Sequence, residues 1–352
     1  MNGQLLKAWA LAAILLVGQS VMVGTARAQM PTIPKLDSPQ TVKIGLTGKP
    51  ITFAGVYIAI SRGYFKESGI TNDFVIVGGF NALLGPLATG EIDIAIGGVS
   101  ASLFNAVERG VRLRVIGDVH TAFAGRSAIA LMVRKDLADS GQIKDFASLK
   151  GRTIALTGRK TSLELVLLRN LRSAGLGPND VNLVVMPFGQ INAAFAGRSI
   201  EVGYQVEPLV AAAVGQKLAV RWRGLDEMEP NYQNAFLVSS ERFAARQDVA
   251  RAWMIAYLRG VRDYNDAMFK NKDREAAIQI LTEHTLVKTR ATYDGMVMPG
   301  INPDGEVNVD SIVAMTEDLK TAGDIKSDTR ADQVIDMSFV RNAQRVLGPY
   351  AR

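Results

Sequence analysis

An internal repeat constrains the fold of this chain more than any other feature of its sequence. Residues 42–50 read VKIGLTGKP and residues 152–160 read RTIALTGRK, so each is a short apolar run followed by Leu-Thr-Gly and a basic residue. A second pair, LATGEIDIAIGGVSA (87–101) and FAGRSIEVGYQVEPL (195–209), follows in the same order and at nearly the same spacing of about 108 to 110 residues. Two matches in one order and at one spacing predict two structural units of similar fold.

Short apolar runs alternate with segments of helical periodicity between the two copies and around them. The predicted strands are Val42–Leu46, Phe74–Val77, Ile92–Ile96, Leu113–Ile116, Ile129–Val133, Thr153–Leu156, Val181–Met186, Glu201–Tyr204, Leu218–Val220 and Ala235–Val238. Helical spacing is found in Ser100–Arg109 and Ser162–Ala174, and it dominates from about residue 240 onward. This alternation predicts an α/β fold rich in parallel strands, with a helical tail.

We therefore predict two Rossmann-like lobes, the second inserted into the first. Lobe one comprises residues 41–127 and 241–352, and lobe two comprises residues 128–240. Two crossing strands, Ile129–Val133 and Ala235–Val238, join them as hinges. Ligands of such sheets bind beyond the carboxyl ends of the parallel strands, so both lobes should face one shared cleft.

The first 28 residues have the pattern of a secretory signal peptide. Lys7 precedes an apolar stretch at 8–17, and Ala26-Arg27-Ala28 is the small-x-small sequence that a signal peptidase cuts. A membrane anchor is the alternative, but polar residues interrupt the apolar run before the roughly 20 residues that a span needs. We expect cleavage after Ala28 and a periplasmic protein that carries no lipid, because the chain has no Cys.

The charge of the chain favours an anionic ligand over a nucleic acid. The formal net charge is +6, but Lys and Arg are dispersed among acids, without the basic runs and interleaved aromatics that nucleic-acid binding uses. The complete absence of Cys excludes disulfides and thiolate chemistry. We expect a monomer whose ligand is a small anion.

The repeated turns are the first candidate ligand site. Thr47-Gly48-Lys49 and Thr157-Gly158-Arg159 each follow a predicted strand, so both should face the cleft. Gly permits close approach of the backbone, Thr offers a hydroxyl, and the following helix presents free N–H groups and the positive end of its dipole. Thr161 and Ser162 have the residue types of a helix N-cap. The alternative is ordinary turn chemistry with solvated Lys and Arg side chains.

Two glycine turns supply further candidates. Gly79 and Asn81 follow one predicted strand, and Gly98 and Ser100 follow another, so ligand atoms could approach their backbone amides. Ser100 could equally cap its helix. The chain lacks G-x-x-x-x-G-K-[ST] and G-x-G-x-x-G, so nothing supports the binding of nucleotide phosphates.

Four more residues are candidates by position. Glu207 precedes a proline at the matching strand end of lobe two, where it could bind a ligand amine or pair with Arg159. His120 lies near the first hinge strand and could donate to an acid, whereas Phe53 and Tyr204 could form aromatic walls. The alternatives are a structural salt bridge for Glu207 and core positions for the aromatic residues.

Neither a metal centre nor catalysis has support in the sequence. The two His residues are isolated and lack paired acids at ligand spacing. There is no G-x-S-x-G, no H-E-x-x-H and no convincing acid–base pair. We predict a binding protein that has neither a cofactor nor catalytic residues.

Four segments of the sequence match, in order, a pattern known from one protein family: GVYIAISRGYFKESGI (55–70), LATGEIDIAIGGVSASLFNAVERG (87–110), DFASLKGRTIAL (145–156) and the Glu-Pro of QVEPLV (205–210). Through these segments the sequence resembles the substrate-binding components of ABC importers for nitrate, sulfonates, taurine and thiamine-pyrimidine precursors. The resemblance covers about residues 41–240 and implies a type II periplasmic-binding-protein fold whose lobes close on one ligand. It also implies docking on an ABC permease.

The resemblance places ligand contacts in four segments, which are Thr47–Pro50, Gly97–Ser100, Thr157–Ser162 and the region of Glu207. It leaves the ligand open among a sulfonate, a carboxylate, nitrate and a pyrimidine precursor. Fungal pyrimidine synthases of the same family carry a Cys-rich motif, and this chain has no Cys. A periplasmic enzyme and a sensor subunit on the same fold are the remaining alternatives.

Overall fold

The computed structural model describes residues 34–326 and 328–351, so the predicted signal peptide lies outside the described residues. The strands are β1 (Gln40–Leu46), β2 (Ile70–Ile76), β3 (Ile94–Gly97), β4 (Arg114–Ala122), β5 (Ile129–Arg134), β6 (Thr153–Leu156), β7 (Asn182–Val185), β8 (Val202–Val206), β9 (Ala219–Gly224) and β10 (Tyr232–Ser239). The helices are α1 (Ala54–Ser61), α2 (Tyr64–Glu67), α3 (Leu84–Thr89), α4 (Ala101–Glu108), α5 (Lys135–Asp139), α6 (Ser162–Ser173), α7 (Phe188–Ala196), α8 (Leu209–Gly215), α9 (Leu225–Met228), α10 (Glu241–Ala245), α11 (Gln247–Lys270), α12 (Arg274–His284), α13 (Val309–Thr321) and α14 (Ser338–Leu347).

The strands form two mixed sheets of five strands each. The first sheet has the order β2-β1-β3-β10-β4, and the second has the order β7-β6-β8-β5-β9. In each sheet the first three strands are parallel and the remaining pairings are antiparallel. The prediction of a two-lobed α/β protein is therefore confirmed.

The internal repeat corresponds to equivalent positions in the two sheets. Ile44 pairs with Ile94 in the first sheet, and its counterpart Ile154 pairs with Val202 in the second. The residue after each edge strand is held in the same way, because Val77 N donates to Leu46 O and Met186 N donates to Leu156 O, both at 2.9 Å. The similar sequences thus code for the same βαβ arrangement in both halves.

The chain crosses between the sheets at two places. The two strands that we expected to cross, Ile129–Val133 and Ala235–Val238, each pair within a single sheet, and the crossings lie just before them. The residues at the first crossing are 123–128, and those at the second are 229–231. The bounds of the two lobes stay a prediction.

The helical tail packs on the first sheet and also reaches the second half of the molecule. α11 lies against α1 so closely that a Cβ at Gly260 would stand 2.1 Å from Gly55 O. Arg169 of α6 forms ion pairs with Asp318 of α13 and with Glu229 beside the second crossing. The tail therefore braces α6, whose other end reaches the cleft.

None of the helices in the described part of the chain is both long and apolar enough to cross a membrane.

Candidate functional site

A cavity of about 590 Å³ lies between the carboxyl ends of the parallel strands of the two sheets. The turns after β1, β2 and β3 line it from the first sheet, and the turns after β6 and β7 together with the end of β8 line it from the second. The predicted site residues among its lining are Thr47, Gly79, Asn81, Gly98, Ser100, Thr157, Gly158, Arg159 and Ser162. Nine positions chosen from the sequence thus meet in one cavity.

The Thr residues of both Thr-Gly-basic turns line this cavity, but only one of the two basic residues does. Thr47 and Thr157 line the same cavity, whereas Lys49 is exposed and, with Gly48, lines a small neighbouring pocket. Among the described residues that line the main cavity, Arg159 alone carries a charge. A ligand in the main cavity would therefore meet one cation rather than two.

Arg159 is positioned by an acid in the first turn of α6, the helix that follows it. Its Nε donates to Glu164 Oε1 at 2.8 Å, and the Arg159 side chain is 52% exposed whereas that of Glu164 is 4% exposed. The Lys160 backbone N also donates to Glu164. The predicted alternative of an Arg159–Glu207 pair is therefore wrong, because Glu164 takes that role from one turn further along α6.

Two of the helices that begin at the cavity are α4 and α6. Ser100 Oγ accepts from Leu103 N at 3.2 Å, so Ser100 is the N-cap of α4, as the alternative for this residue held. Thr161, by contrast, donates its hydroxyl to Gly158 O at 3.2 Å and does not cap α6. The N-terminal ends of both helices contribute positive potential to the cavity.

The turns of the two halves contact each other directly beside the cavity. Ser162 N donates to Val99 O at 2.9 Å, and Ala101 N donates to Lys160 O at 3.2 Å. These bonds join the glycine turn after β3 to the start of α6. The two halves are therefore in direct contact beside the cavity.

The glycines of these turns permit this contact between the halves. A Cβ at Gly98 would stand 3.0 Å from Ser162 Oγ and 2.6 Å from Asn234 O, and one at Gly79 would stand 3.2 Å from Thr157 O. A side chain at either position would hold the halves apart or displace the backbone. Close packing between the turns thus accounts for glycine at these two positions.

Glu207 is buried and lies beside the small pocket rather than in the main cavity. Its Oε2 accepts from Ala211 N at 2.9 Å, its Oε1 accepts from Val297 N at 3.3 Å, and its carbonyl O accepts from Ile51 N at 3.3 Å. Burial raises the pKa of this carboxyl to about 7. Glu207 therefore connects the end of β8 to two segments of the first half.

Three candidates lie in the core, away from the cavity. Phe53 packs edge to face on Tyr57, Tyr204 points its hydroxyl at a methionine sulfur, and His120 Nε2 accepts from Ala128 N at 3.3 Å. All three side chains are fully buried. Burial lowers the pKa of His120 to about 3, so its ring is neutral at physiological pH. Phe53 and Tyr204 therefore occupy core positions, which was the alternative to aromatic walls of the site.

The sequence analysis missed the apolar wall of the cavity. The lining residues that it did not select include Phe80, Ile96, Met186, Phe188 and Asn234. Met186 and Phe188 follow β7 at the positions that Val77 and Gly79 take after β2. Since Gly79 was selected, its equivalent position in the internal repeat could have identified Phe188. The wall makes the cavity largely apolar, with a few polar groups.

The described residues contain no group of three or more His, Cys, Asp or Glu that could hold a metal ion. The residues that line the main cavity include hydroxyls, amides and one guanidinium, and among those described none is a carboxylate or imidazole. This set of groups can bind and orient a ligand, but it offers no general acid or base.

Comparisons with known proteins agree with this architecture. A family model described as NMT1/THI5 like matches residues 51–267. No curated protein matches the chain by sequence.

Solved structures with the same fold include binding proteins. The periplasmic nitrate-binding protein NrtA of Synechocystis PCC 6803 is 14% identical, covers 88% of this chain and 89% of its own, and has a TM-score of 0.71. The alkanesulfonate-binding protein SsuA of Xanthomonas axonopodis pv. citri, bound to MOPS, is 19% identical over 88% and 99%, with a TM-score of 0.64. A zinc-bound ligand-binding component of an ABC-type import system of Staphylococcus aureus is 17% identical over 87% and 99%, with a TM-score of 0.69.

The desulfurization enzyme DSZB also has this fold, with 15% identity over 87% of this chain and 99% of its own and a TM-score of 0.59. At these identities the likeness shows the fold, which binding proteins and at least one enzyme share.

Proposed function

Since the chain belongs to the NMT1/THI5-like family, we propose that it is an exported solute-binding protein that captures a small anionic ligand for an ABC importer. The observation that carries this proposal is the single cavity to which both sheets contribute the ends of their parallel strands. A ligand held there contacts both halves at once. Because it contacts both halves only when they are close together, such a ligand binds this closed arrangement more tightly than an open one and so favours it.

The anionic character of the ligand is supported by three features of the cavity. Arg159 supplies a positive charge, α4 and α6 begin there, and the hydroxyls of Thr47 and Thr157 are donors from opposite sides. Acids of the carboxylate or sulfonate class and nitrate fit these groups. Glu207 does not line the cavity, which removes the feature that favoured an amine-bearing pyrimidine precursor.

Binding is favoured over catalysis by the same chemistry. The chain has no Cys, and the cavity lining described here has no carboxylate or imidazole to move a proton. The fold shared with DSZB keeps an enzyme as the second candidate. A sensor subunit would use the same closure to signal to a receptor rather than to a permease.

Export and docking complete the proposal. The pattern in residues 1–28 and the periplasmic location in the name of NrtA support secretion to the periplasm. We expect the closed form, as a monomer, to dock on the permease of an importer. Genes for a permease and an ATPase beside this gene would support import over sensing.

The test is ligand binding by the mature protein that begins after Ala28. Isothermal titration should give saturable binding of an organic or inorganic anion, and small-angle X-ray scattering should show a smaller radius of gyration with the ligand bound. Mass spectrometry after overnight incubation should recover the ligand unchanged. A ligand consumed with formation of a product would instead establish the enzyme.

A further inference from the structure

The size of the main cavity limits what can fill it. Its volume of about 590 Å³ lies within the range of roughly 300–1,000 Å³ that pockets for drug-sized organic ligands have. It corresponds to roughly 20 waters at about 30 Å³ each. Nitrate, with four heavy atoms, would leave most of this space to water against apolar side chains.

One part of the apolar wall comes from the first half. Phe80 begins the turn after the edge strand β2, and a Cβ at Gly97 would stand only 2.1 Å from its ring. The ring therefore lies directly over the Gly97 backbone, and it is one of the groups that line the cavity. The glycine is required because any side chain at position 97 would displace the ring.

The facing part of the wall comes from the second half. Val185, Met186, Pro187 and Phe188 end the edge strand β7 and begin α7, and all four line the cavity. Val185 is 55% exposed, an unusual exposure for a large aliphatic residue. The two edge strands thus bring apolar groups to the same side of the cleft.

Most of the polar groups follow the central strands instead, whereas Asn81 follows the edge strand β2 beside Phe80. Thr47 follows β1, Ser100 follows β3, and Thr157 and Arg159 follow β6. Since β1 and β6 lie inside their sheets, Thr47, Thr157 and Arg159 follow strands that are one position inward of β2 and β7, although the Phe80 ring itself reaches the end of β3. The cavity therefore has a polar region beside an apolar one.

We propose that the ligand is an organic acid with an apolar body, and that Phe80 and Phe188 determine this specificity by enclosing that body from opposite halves. The inference rests on the proposed function and names the ligand class of the same site. The acid group binds at Thr47, Thr157 and Arg159. The two rings follow β2 and β7, each one strand away from the strand that precedes Thr47 or Thr157 and Arg159, so they contact the part of the ligand that extends beyond its acid group.

The test uses acids that share a head group and differ in the apolar body. The carboxylates are acetate, benzoate and 2-naphthoate, the sulfonates are methanesulfonate, benzenesulfonate and 2-naphthalenesulfonate, and nitrate is added as the smallest anion. Isothermal titration should show affinity rising at least about tenfold from the methyl to an aromatic member, because each added methylene in an apolar pocket contributes roughly 10-fold or more.

Variants of Phe80 and Phe188 then test whether the two rings cause this rise in affinity. Phe80→Ala and Phe188→Ala should each reduce the affinity for the tightest aromatic acid by about tenfold or more while changing that for acetate or methanesulfonate by less than about twofold. Phe80→Leu keeps apolar volume over Gly97 and should lose less. Phe146→Ala is the matched control, because Phe146 packs on Trp222 outside the cavity. Thermal unfolding without ligand checks that each variant is folded.

The outcomes separate this inference from the proposed function. If nitrate or the methyl acids bind as tightly as the aromatic acids, or if the ring variants weaken both classes equally, the inference is wrong although anion capture stands. If none of the anions binds, the proposed function fails and the inference fails with it.

Discussion

Gly79→Ala is expected to weaken ligand binding through the contact between the two halves of the molecule. A Cβ at this position would stand 3.2 Å from the carbonyl oxygen of Thr157, which belongs to the opposite half of the molecule. The backbone of Gly79 is extended, with φ −169°, so alanine is not strained there. The added methyl group therefore acts on the contact between the halves.

The size of the effect follows from how tight this contact is. The carbonyl group is backbone and cannot move aside alone, so the halves must separate by a few tenths of an ångström or strain their turns. Overpacking of this kind costs about 1–3 kcal/mol. If it applies only to the closed form, the affinity for the tightest acid falls roughly 5- to 150-fold.

Gly78→Ala is the matched control for this experiment. A Cβ at Gly78 would stand 3.7 Å from Pro187 Cγ, an ordinary contact. Both Gly→Ala substitutions reduce the conformational entropy of the unfolded chain by the same amount, so their effects on stability through the unfolded state are equal. Isothermal titration of the two variants should show a loss for Gly79→Ala alone, with equal melting temperatures in the absence of ligand. Equal affinities for the two variants would refute the claim that binding requires this contact.

Three further predictions concern the groups in and around the site. Burial raises the pKa of Glu207 from 4.5 to about 7, so the folded chain binds a proton more tightly than the unfolded chain does. The protonated Glu207 therefore stabilises the fold fully below pH 4.5, and this contribution to the free energy of unfolding is lost as pH rises through 7. Urea unfolding at several pH values should show a loss of about 3 kcal/mol across this range that Glu207→Gln flattens, and an unchanged slope in the variant would contradict the assignment. Arg159→Glu should cost more affinity for a bound acid than Arg159→Ala in isothermal titration, and if neither variant weakens binding, Arg159 is not part of the anion site. Tyr204→Phe should leave affinity unchanged and lower stability by less than about 1 kcal/mol, since its hydroxyl reaches only Met228 Sδ at 3.9 Å; a large loss of affinity would restore Tyr204 to the site.

The sheets could be predicted from the sequence because their strands are marked locally. Apolar runs bounded by glycine turns indicated each strand, and the internal repeat placed equivalent strands at equivalent positions. The counterparts Ile44 and Ile154 do pair with the next parallel strand at matching residues. The ends of strands also identified nine residues of the cavity lining, since parallel strands present their carboxyl ends on one edge.

The direction of individual side chains could not be predicted in the same way. Tyr204 lies in the middle of β8 and is buried in the core, whereas Val206, the last residue of the same strand, lines the cavity. His120 and Phe53 were selected by proximity along the chain and are likewise buried in the core. The position of a residue along the sequence therefore does not show whether its side chain lies in the cleft or in the core.

The partners of charged groups depend on tertiary packing and were also hidden from the sequence. Glu164 lies in the first turn of α6, where it accepts from the Arg159 side chain and from the Lys160 backbone N of the preceding turn. Glu207 receives a backbone N–H from Val297, 90 residues away in the tail. A pattern of residues around Glu207 contains no sign of so distant a partner.

The most direct test of the account is a crystal structure of the protein with the tightest-binding acid of the series. We predict the acid group within hydrogen-bonding distance of Thr47, Thr157 and Arg159, and the apolar body between the rings of Phe80 and Phe188. An acid bound to one half alone, or outside this cavity, would contradict capture by the shared cleft.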